Sequence, residues 1–303
     1  MAVEPYDIII PGNYFCDIIF TGIPKFPSLG TEIFTEGLTV VPGGIMNTVT
    51  GLSRLAVNVG WIGTLGNDFF SKFVADTAKS EGVDLSLINF IDESFKRVTV
   101  ALSYPNDRAF VSYVDPVSDL VERVFEALET TSFKHLHFTG LTIDPKMPEL
   151  IEACHAKGIT VSMDCQHREE TLAVPLAKEI ISNLDIFMPN TTEAQRLTQK
   201  NTVEEAVSIL RDIVPYLIIK DGVNGAFSWQ QRKRYHAPAI AIDRIVDTTG
   251  AGDLFNAGFF AAHFANKSPE ACLQWGNITG GLSLRGHGGY ATSPTLTELQ
   301  SYL

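Results

Sequence analysis

Residues 239–264 read AIAIDRIVDTTGAGDLFNAGFFAAHF, and the fold is decided in this stretch. A strand-like run feeds a turn of Thr248, Thr249, Gly250, Ala251 and Gly252, after which Leu254 to Phe264 predicts a buried helix rich in small residues. Glycines permit a tight backbone turn here. The first amides of a helix have no partner inside it, so they can converge on an anion. The stretch therefore predicts a phosphate site at a helix N-terminus.

Two familiar nucleotide signatures do not account for it. The Walker pattern G-x-x-x-x-G-K-[ST] is absent, and a dinucleotide G-x-G-x-x-G starting at Gly250 fails because Phe255 holds the third glycine position. Asp253 is the informative residue, since a carboxylate beside a bound phosphate would repel it. It makes sense if it faces an acceptor hydroxyl and takes its proton, while the amides of Gly250, Ala251, Gly252 and Asp253 hold a transferring phosphoryl group. A plainer alternative is that Asp253 caps the helix and the glycines form a packing turn.

Outward from this stretch, short apolar runs alternate with amphipathic segments. Tyr6–Ile10, Val57–Ile62, His135–Phe138, Ile159–Met163, Ile186–Met188 and Leu217–Ile219 predict buried strands, and Met46–Leu55 and Phe69–Ser80 have helical spacing. That alternation predicts a mainly parallel sheet covered on both faces, an α/β three-layer sandwich. Two regions lack a helical pattern, Tyr14–Thr35 and Arg97–Val114, the latter with a Pro105-Asn106-Asp107 turn. They are expected to pair as a small antiparallel sheet projecting from the main one. With no repeat or linker, residues 1–303 read as a single domain with lid segments near 12–36 and 96–114.

Composition limits the function classes. The chain has 303 residues, 45% hydrophobic and 19% charged, with a net charge of −12 that opposes nonspecific attraction to nucleic acid or anionic lipid. The apolar run Ile8 to Ile10 is too short for a signal-peptide core, and charges and glycines interrupt every other apolar run. Cys16, Cys154, Cys165 and Cys272 are scattered without a C-x-x-C, so a reduced cytoplasmic enzyme is expected, with no membrane and no nucleic-acid partner.

The string Asp247-Thr248-Thr249-Gly250-Ala251-Gly252-Asp253 followed by Phe255-Asn256-Ala257-Gly258 resembles the C-terminal signature of the ribokinase-like (PfkB) carbohydrate kinase family nearly residue for residue. The resemblance spans almost the whole chain. Gly12 to Asp17 looks like the family's first-strand motif, in which an Asp reaches sugar hydroxyls. Pro42-Gly43-Gly44-Ile45-Met46-Asn47 matches its diglycine turn and following Asn, and Gly63 to Asp68 its next glycine turn. The resemblance implies a ribokinase-like sandwich with a β lid. It also implies transfer of the γ-phosphoryl group of ATP to a hydroxyl of a ribose-, fructose- or ketodeoxygluconate-like acceptor, with Asp253 as base and Gly250, Ala251 and Gly252 as anion hole.

Asp17 and Asn47 suit vicinal hydroxyls, and Gly43 and Gly44 allow the backbone close to a ligand; an Asp in a turn and an Asn capping a Thr48–Leu55 helix are the plainer readings. Pro189-Asn190-Thr191-Thr192-Glu193 resembles the family's N-x-x-E motif, which implies Mg²⁺ held by Glu193 through water, although Asn190 and Glu193 also fit a helix-start cap. Lys220-Asp221-Gly222-Val223-Asn224-Gly225 resembles the family's glycine loop near the nucleotide, or a hairpin turn. Asn277 to Gly289 lies where the family encloses adenine and, in many members, a monovalent cation such as K⁺. Asn277 is the one candidate ligand taken from it.

The sequence departs from the family at two places. Asp164-Cys165-Gln166-His167-Arg168 looks like a D-x-N-x-R strand end with Gln166 replacing Asn; Arg168 can meet a substrate carboxylate or phosphate, or pair with Glu169 or Glu170. Ile45 and Met46 stand where ribokinases commonly have Lys-Gly-Ala, which suits a less hydroxylated sugar or a nucleoside, with Met46 as core. A nucleoside kinase, or a silent sugar- or nucleotide-binding regulator, are the competing readings. His135 and His137 share one strand face without a zinc pattern and are expected to be structural. A homodimer through the lid edge is also expected.

Overall fold

The structure, a computed structural model, describes residues 4–104, 108–116, 119–166, 168–230 and 232–303. The expected Pro105-Asn106-Asp107 turn and His167 lie outside the described residues.

Short, densely apolar runs become strands because they can be buried on both faces. They are β1 (Ile8–Pro11), β4 (Val59–Leu65), β5 (Ile88–Phe90), β8 (His135–Phe138), β9 (Thr160–Met163), β10 (Ile186–Phe187) and β11 (Tyr216–Lys220), together with the edge hairpin β12 (Ala226–Gln230) and β13 (Lys233–Ala237). The sheet order is β13-β12-β11-β10-β9-β8-β1-β4-β5, parallel except for β12 and β13.

Side chains alternate across it. Ile8, Ile10 and Ile218 join one core with α1 (Ile45–Arg54), α2 (Phe69–Ser80), α8 (Ala251–Phe264) and α9 (Pro269–Ser283). Ile9, Leu217 and Ile219 join the other with α3 (Leu120–Thr130), α4 (Met147–Ala156), α5 (Pro175–Asn183), α6 (Thr191–Thr198) and α7 (Val203–Leu210). The chain leaves β1 towards β4 on one side and later returns to β8 on the other. Ligands of open α/β sheets bind at such a reversal, beyond the carboxyl ends of the strands.

A second sheet has the order β3-β2-β6-β7, built from β2 (Tyr14–Thr21), β3 (Gly37–Gly44), β6 (Arg97–Ser103) and β7 (Arg108–Val114). Two expectations need correction here. Residues 22–36 form no strand, and the strand beside β2 lies at 37–44, where Pro42, Gly43 and Gly44 read as turn formers. Proline is tolerated because β3 is an edge strand. The sheet is also mixed, since β2 and β6 pair in parallel. They continue from β1 and β5, which run the same way in the main sheet, so they leave it in the same direction.

The segment before the decisive turn is also corrected. Residues 238–247 join no ladder, because the β12–β13 hairpin already occupies that edge of the sheet. Ile240 and Ile242 pack on the core instead, against Gly281 of α9. Helix α8 follows and packs closely on α9: a Cβ on Gly258 would lie 2.5 Å from the Trp275 carbonyl, which explains the small residues.

Candidate active site

Helix α8 begins at Ala251, earlier than expected, with Gly250 as its N-cap at φ 72, the left-handed region that favours glycine. Asp253 therefore sits inside the first turn and caps nothing; α8 has no side-chain cap. Gly250 also has no room for a side chain, since an added Cβ would lie 2.7 Å from Asn47 Nδ2. Helix α1 likewise starts at Ile45 rather than Thr48, with Gly44 as N-cap, so Asn47 is not its cap either. The two first turns face each other, and Asn47 Nδ2 donates to Asp253 Oδ2 at 3.0 Å.

Behind Asp253 stand the carboxyl ends of three strands. Lys220, the last residue of β11, donates to Asp164 Oδ2 at 2.6 Å and to Asn256 Oδ1 at 3.4 Å. Asn256, one turn after Asp253, donates to the same Asp164 oxygen at 2.6 Å. Glu193 enters from α6, after β10. Burial pushes the Asp253 carboxyl up to about 7; Asn47 and Lys220 pull it down, while the charges of Asp164 and Glu193 push it further up. Glu193 is raised as well, by burial and then by Asp164, against the opposing pull of Lys220.

On the lid side, a cleft of ≈ 180 Å³ is lined by Asp17, Thr99 and Arg108 and by the apolar Phe15, Ile19 and Phe110. Asp17 overlies Gly43 on the neighbouring strand, where an added Cβ would overlap its carboxylate. Burial, with Asp247 nearby, raises the Asp17 carboxyl to about 6. Arg108 reaches from the first residue of β7 to Asp247, Thr248 and Thr249, the residues leading into the Gly250 turn. Burial opposes ionisation of Asp247, yet hydrogen bonds from Thr249 and the Gly288 amide, with the Arg108 charge, hold its carboxyl below the usual range.

The structure thus brings together Asp253, Gly250, Ala251, Gly252, Asn47, Lys220 and Glu193, with Asp17, Gly43 and Gly44 on the lid side. It does so less for the others. Asn190 and Glu193 form a reciprocal capping box, so the plainer reading of that pair is real and coexists with a position beside Lys220. Gly222 opens and Gly225 caps a single 3₁₀ turn between antiparallel β11 and β12, so the hairpin reading also holds. Arg168 is exposed, does not line the cleft, and forms no ion pair with Glu169 or Glu170 among the described residues. Asn277 spends its amide on the Ala237 and Pro238 carbonyls at 2.8 and 3.0 Å, tying α9 to the end of β13. Met46 is fully buried, as core.

His135 and His137 are fully buried and share the Ser162 hydroxyl, with His135 also bonded to Thr160. Burial pushes His137 down to about 3 and lowers His135 well below its usual value, so both are neutral at pH 7. Among the described residues no group of three or more His, Cys, Asp or Glu could hold a metal ion. No helix of the described residues is long and apolar enough to cross a membrane.

Sequence reasoning missed Arg108, Asp247 and Asn256 as parts of this site. Asp247 and Asn256 lie inside the Asp247–Gly258 string, whose residue types do not show which contacts they make. Arg108 carries no local signal, because its partners are more than a hundred positions away.

The pfkB family carbohydrate kinase pattern matches residues 33–296. The chain is 27% identical over 286 residues to 2-dehydro-3-deoxygluconokinase of Bacillus subtilis, covering 89% of this chain and 87% of that protein. It is 25% identical over 300 residues to ribokinase of the same organism, covering 98% and 99%. The structure of Arabidopsis thaliana ribokinase complexed with ribose and ATP superposes with a TM-score of 0.82 at 22% identity, over 98% of each chain. A fold, a motif set and a family match that agree over most of its length make this chain a member of the pfkB family of carbohydrate kinases.

Proposed function

We propose that the protein transfers the γ-phosphoryl group of ATP to a hydroxyl of a sugar or sugar derivative, with Asp253 as general base. The observation that carries this reading is the meeting of one carboxylate, the Gly250–Gly252 turn and the Lys220 ammonium at the carboxyl ends of the strands. The acceptor oxygen attacks the γ-phosphorus and the bond to the β-phosphate oxygen breaks, so that ADP leaves. The hydroxyl proton passes to Asp253. A carboxyl raised to about 7 is well matched to that task near neutral pH.

The amides of Gly252 and Asp253 in the first turn of α8 lack helical partners and are available to the developing charge, while the Ala251 amide makes a long bond of 3.4 Å to the Thr248 carbonyl. Asp17 and Asn47 orient the acceptor, and Arg108 ties the lid to the turn that binds phosphate. Asn190, Lys220, Gly222 and Gly225 border the nucleotide. Glu193, through water, would hold the Mg²⁺ that accompanies ATP, and that ion would offset polyphosphate charge.

A second reading, a nucleoside kinase, is favoured by the apolar wall of Phe15, Ile19 and Phe110, which suits a less hydroxylated acceptor or a base. ATP consumption with ribose, fructose, 2-dehydro-3-deoxygluconate and nucleosides, each with and without K⁺, separates the readings. Turnover of a sugar supports the first, turnover of a nucleoside alone supports the second, and turnover of none by folded protein that binds sugar or nucleotide supports a silent regulator.

A further inference from the structure

The densest buried polar cluster behind the base is centred on Asp164, at the carboxyl end of β9. Its Oδ1 accepts from the Cys165 amide at 2.7 Å, and its Oδ2 from Lys220 and Asn256, both at 2.6 Å. An ammonium carries three N–H donors. Two of those of Lys220 are directed at Asp164 and Asn256. On the other side, an added Cβ on Gly252 would lie 3.5 Å from Lys220 Nζ and meet no other atom within 4 Å outside its own surroundings in the helix. Among the described residues, the Gly252 side of the anion turn is open to the ammonium.

A lysine is a point charge on a flexible stem, without the planar fork that lets an arginine aim itself. Its direction must come from its partners. We propose that Asp164, braced by Asn256, is a positioning residue for phosphoryl transfer: it holds the Lys220 ammonium beside the Gly250–Gly252 turn, where the ammonium meets the γ-phosphoryl group. The proposal rests on the phosphotransfer reading above. It also makes the Asp164–Lys220 pair part of the field around Asp253, which is faced by Asn47 from α1, Glu193 from α6, Lys220 from β11 and Asp164 from the end of β9.

The test uses the full chain and two probes, MgADP and MgAMP-PNP, which differ in the γ-phosphoryl group. By calorimetry, Lys220→Met lowers affinity for MgAMP-PNP about 10- to 100-fold, as expected for a hydrogen bond to a charged group. MgADP affinity is expected to stay within about threefold, because this contact is to the group ADP lacks. Asp164→Asn shifts the same preference in the same direction. Because Asp164 acts through Lys220, the double variant binds MgAMP-PNP no worse than Lys220→Met alone, and it keeps the site testable if a lone buried charge unfolds either single variant.

A ¹³C titration of the carboxyl resonance that Asp253→Asn abolishes adds a readout that simple loss of structure would not give. Its midpoint falls by roughly one pH unit in Asp164→Asn and rises by roughly as much in Lys220→Met. Additive losses of MgAMP-PNP affinity, equal losses for both nucleotides, or titration shifts of the same sign overturn the proposal. If the unaltered chain binds neither nucleotide, the phosphotransfer reading falls with it; if that chain binds both and the variants discriminate as it does, only the proposal fails.

Discussion

Replacing Asp253 by asparagine should stabilise the protein at alkaline pH while damaging its chemistry. The folded carboxyl is raised from its ordinary value of 3.8 to about 7. The unfolded chain therefore releases this proton first, and between those values the folded state holds a proton the unfolded state has lost. The favourable contribution is complete below the unfolded value and is lost as pH rises through about 7. A shift of about 3 units corresponds to a ceiling of about 4 kcal/mol, and relaxation and water in the cleft bring the expected figure to about 1–2 kcal/mol.

Asp253→Asn retains a side-chain carbonyl that accepts from Asn47, so the variant keeps the contact and loses only the charge. Urea unfolding of both proteins at intervals from pH 5 to pH 8.5 measures the difference. The variant's advantage should grow with pH and level off above about 7.5. A difference that is constant across the range, or that shrinks with pH, would mean that Asp253 is not a raised carboxyl.

Glu193→Gln preserves a capping box, so folding is retained, while the Mg²⁺ concentration needed for half-maximal turnover rises about 10- to 100-fold; an unchanged magnesium titration removes Glu193 from the metal's surroundings. Arg108→Met releases the lid from Asp247 and should raise the acceptor KM about tenfold or more, with a smaller change in kcat. Arg108→Lys should restore little of the loss, because the fork is gone; full rescue by lysine in steady-state kinetics would argue for a simple charge effect. The lid register lines up Val40, Ile18, Val100 and Val111 on the face away from the cleft, with Val111 65% exposed. Light scattering over a concentration series should therefore detect a dimer that Val111→Asp disperses, and a monomer at every concentration would exclude pairing through this face.

Much of this architecture is legible in the residues because it is local. A run such as Ile8 to Ile10 buries both faces wherever it sits, so the parallel core follows from the alternation of apolar and amphipathic segments. The Phe69–Ser80 helix ends where its pattern ends, with Asp68 accepting from the Phe70 and Ser71 amides at its start. What misled was chemistry that serves two purposes. Ile240 and Ile242 alternate like a strand, but packing on α9 uses the same spacing as a ladder. Pro42, Gly43 and Gly44 have turn chemistry, yet an edge strand without inward hydrogen-bond demand accepts them.

The site divides in the same way. Asp253, the glycine turn, Asn47 and Lys220 belong to short strings whose chemistry is visible in each string. The assignments of Arg168 and Asn277 rested on position within a motif, and the structure gives one an exposed place and the other a packing duty. Arg108 depends on how a lid strand folds over a distant loop, and the Asp164–Asn256–Lys220 cluster on three strand and helix ends meeting. Those distances in the chain carry no local pattern to read.

Passage of the acceptor proton to Asp253 is read by single-turnover phosphoryl transfer. Rapid-quench measurements with enzyme in excess over radiolabelled ATP, at saturating concentration of whichever acceptor the panel identifies, isolate the chemical step from product release. Asp253→Asn should slow that step about 10²–10⁴-fold, with acceptor and MgATP affinities nearly unchanged. Transfer at an undiminished rate by the folded variant would mean that the proton leaves by a route that does not pass through Asp253.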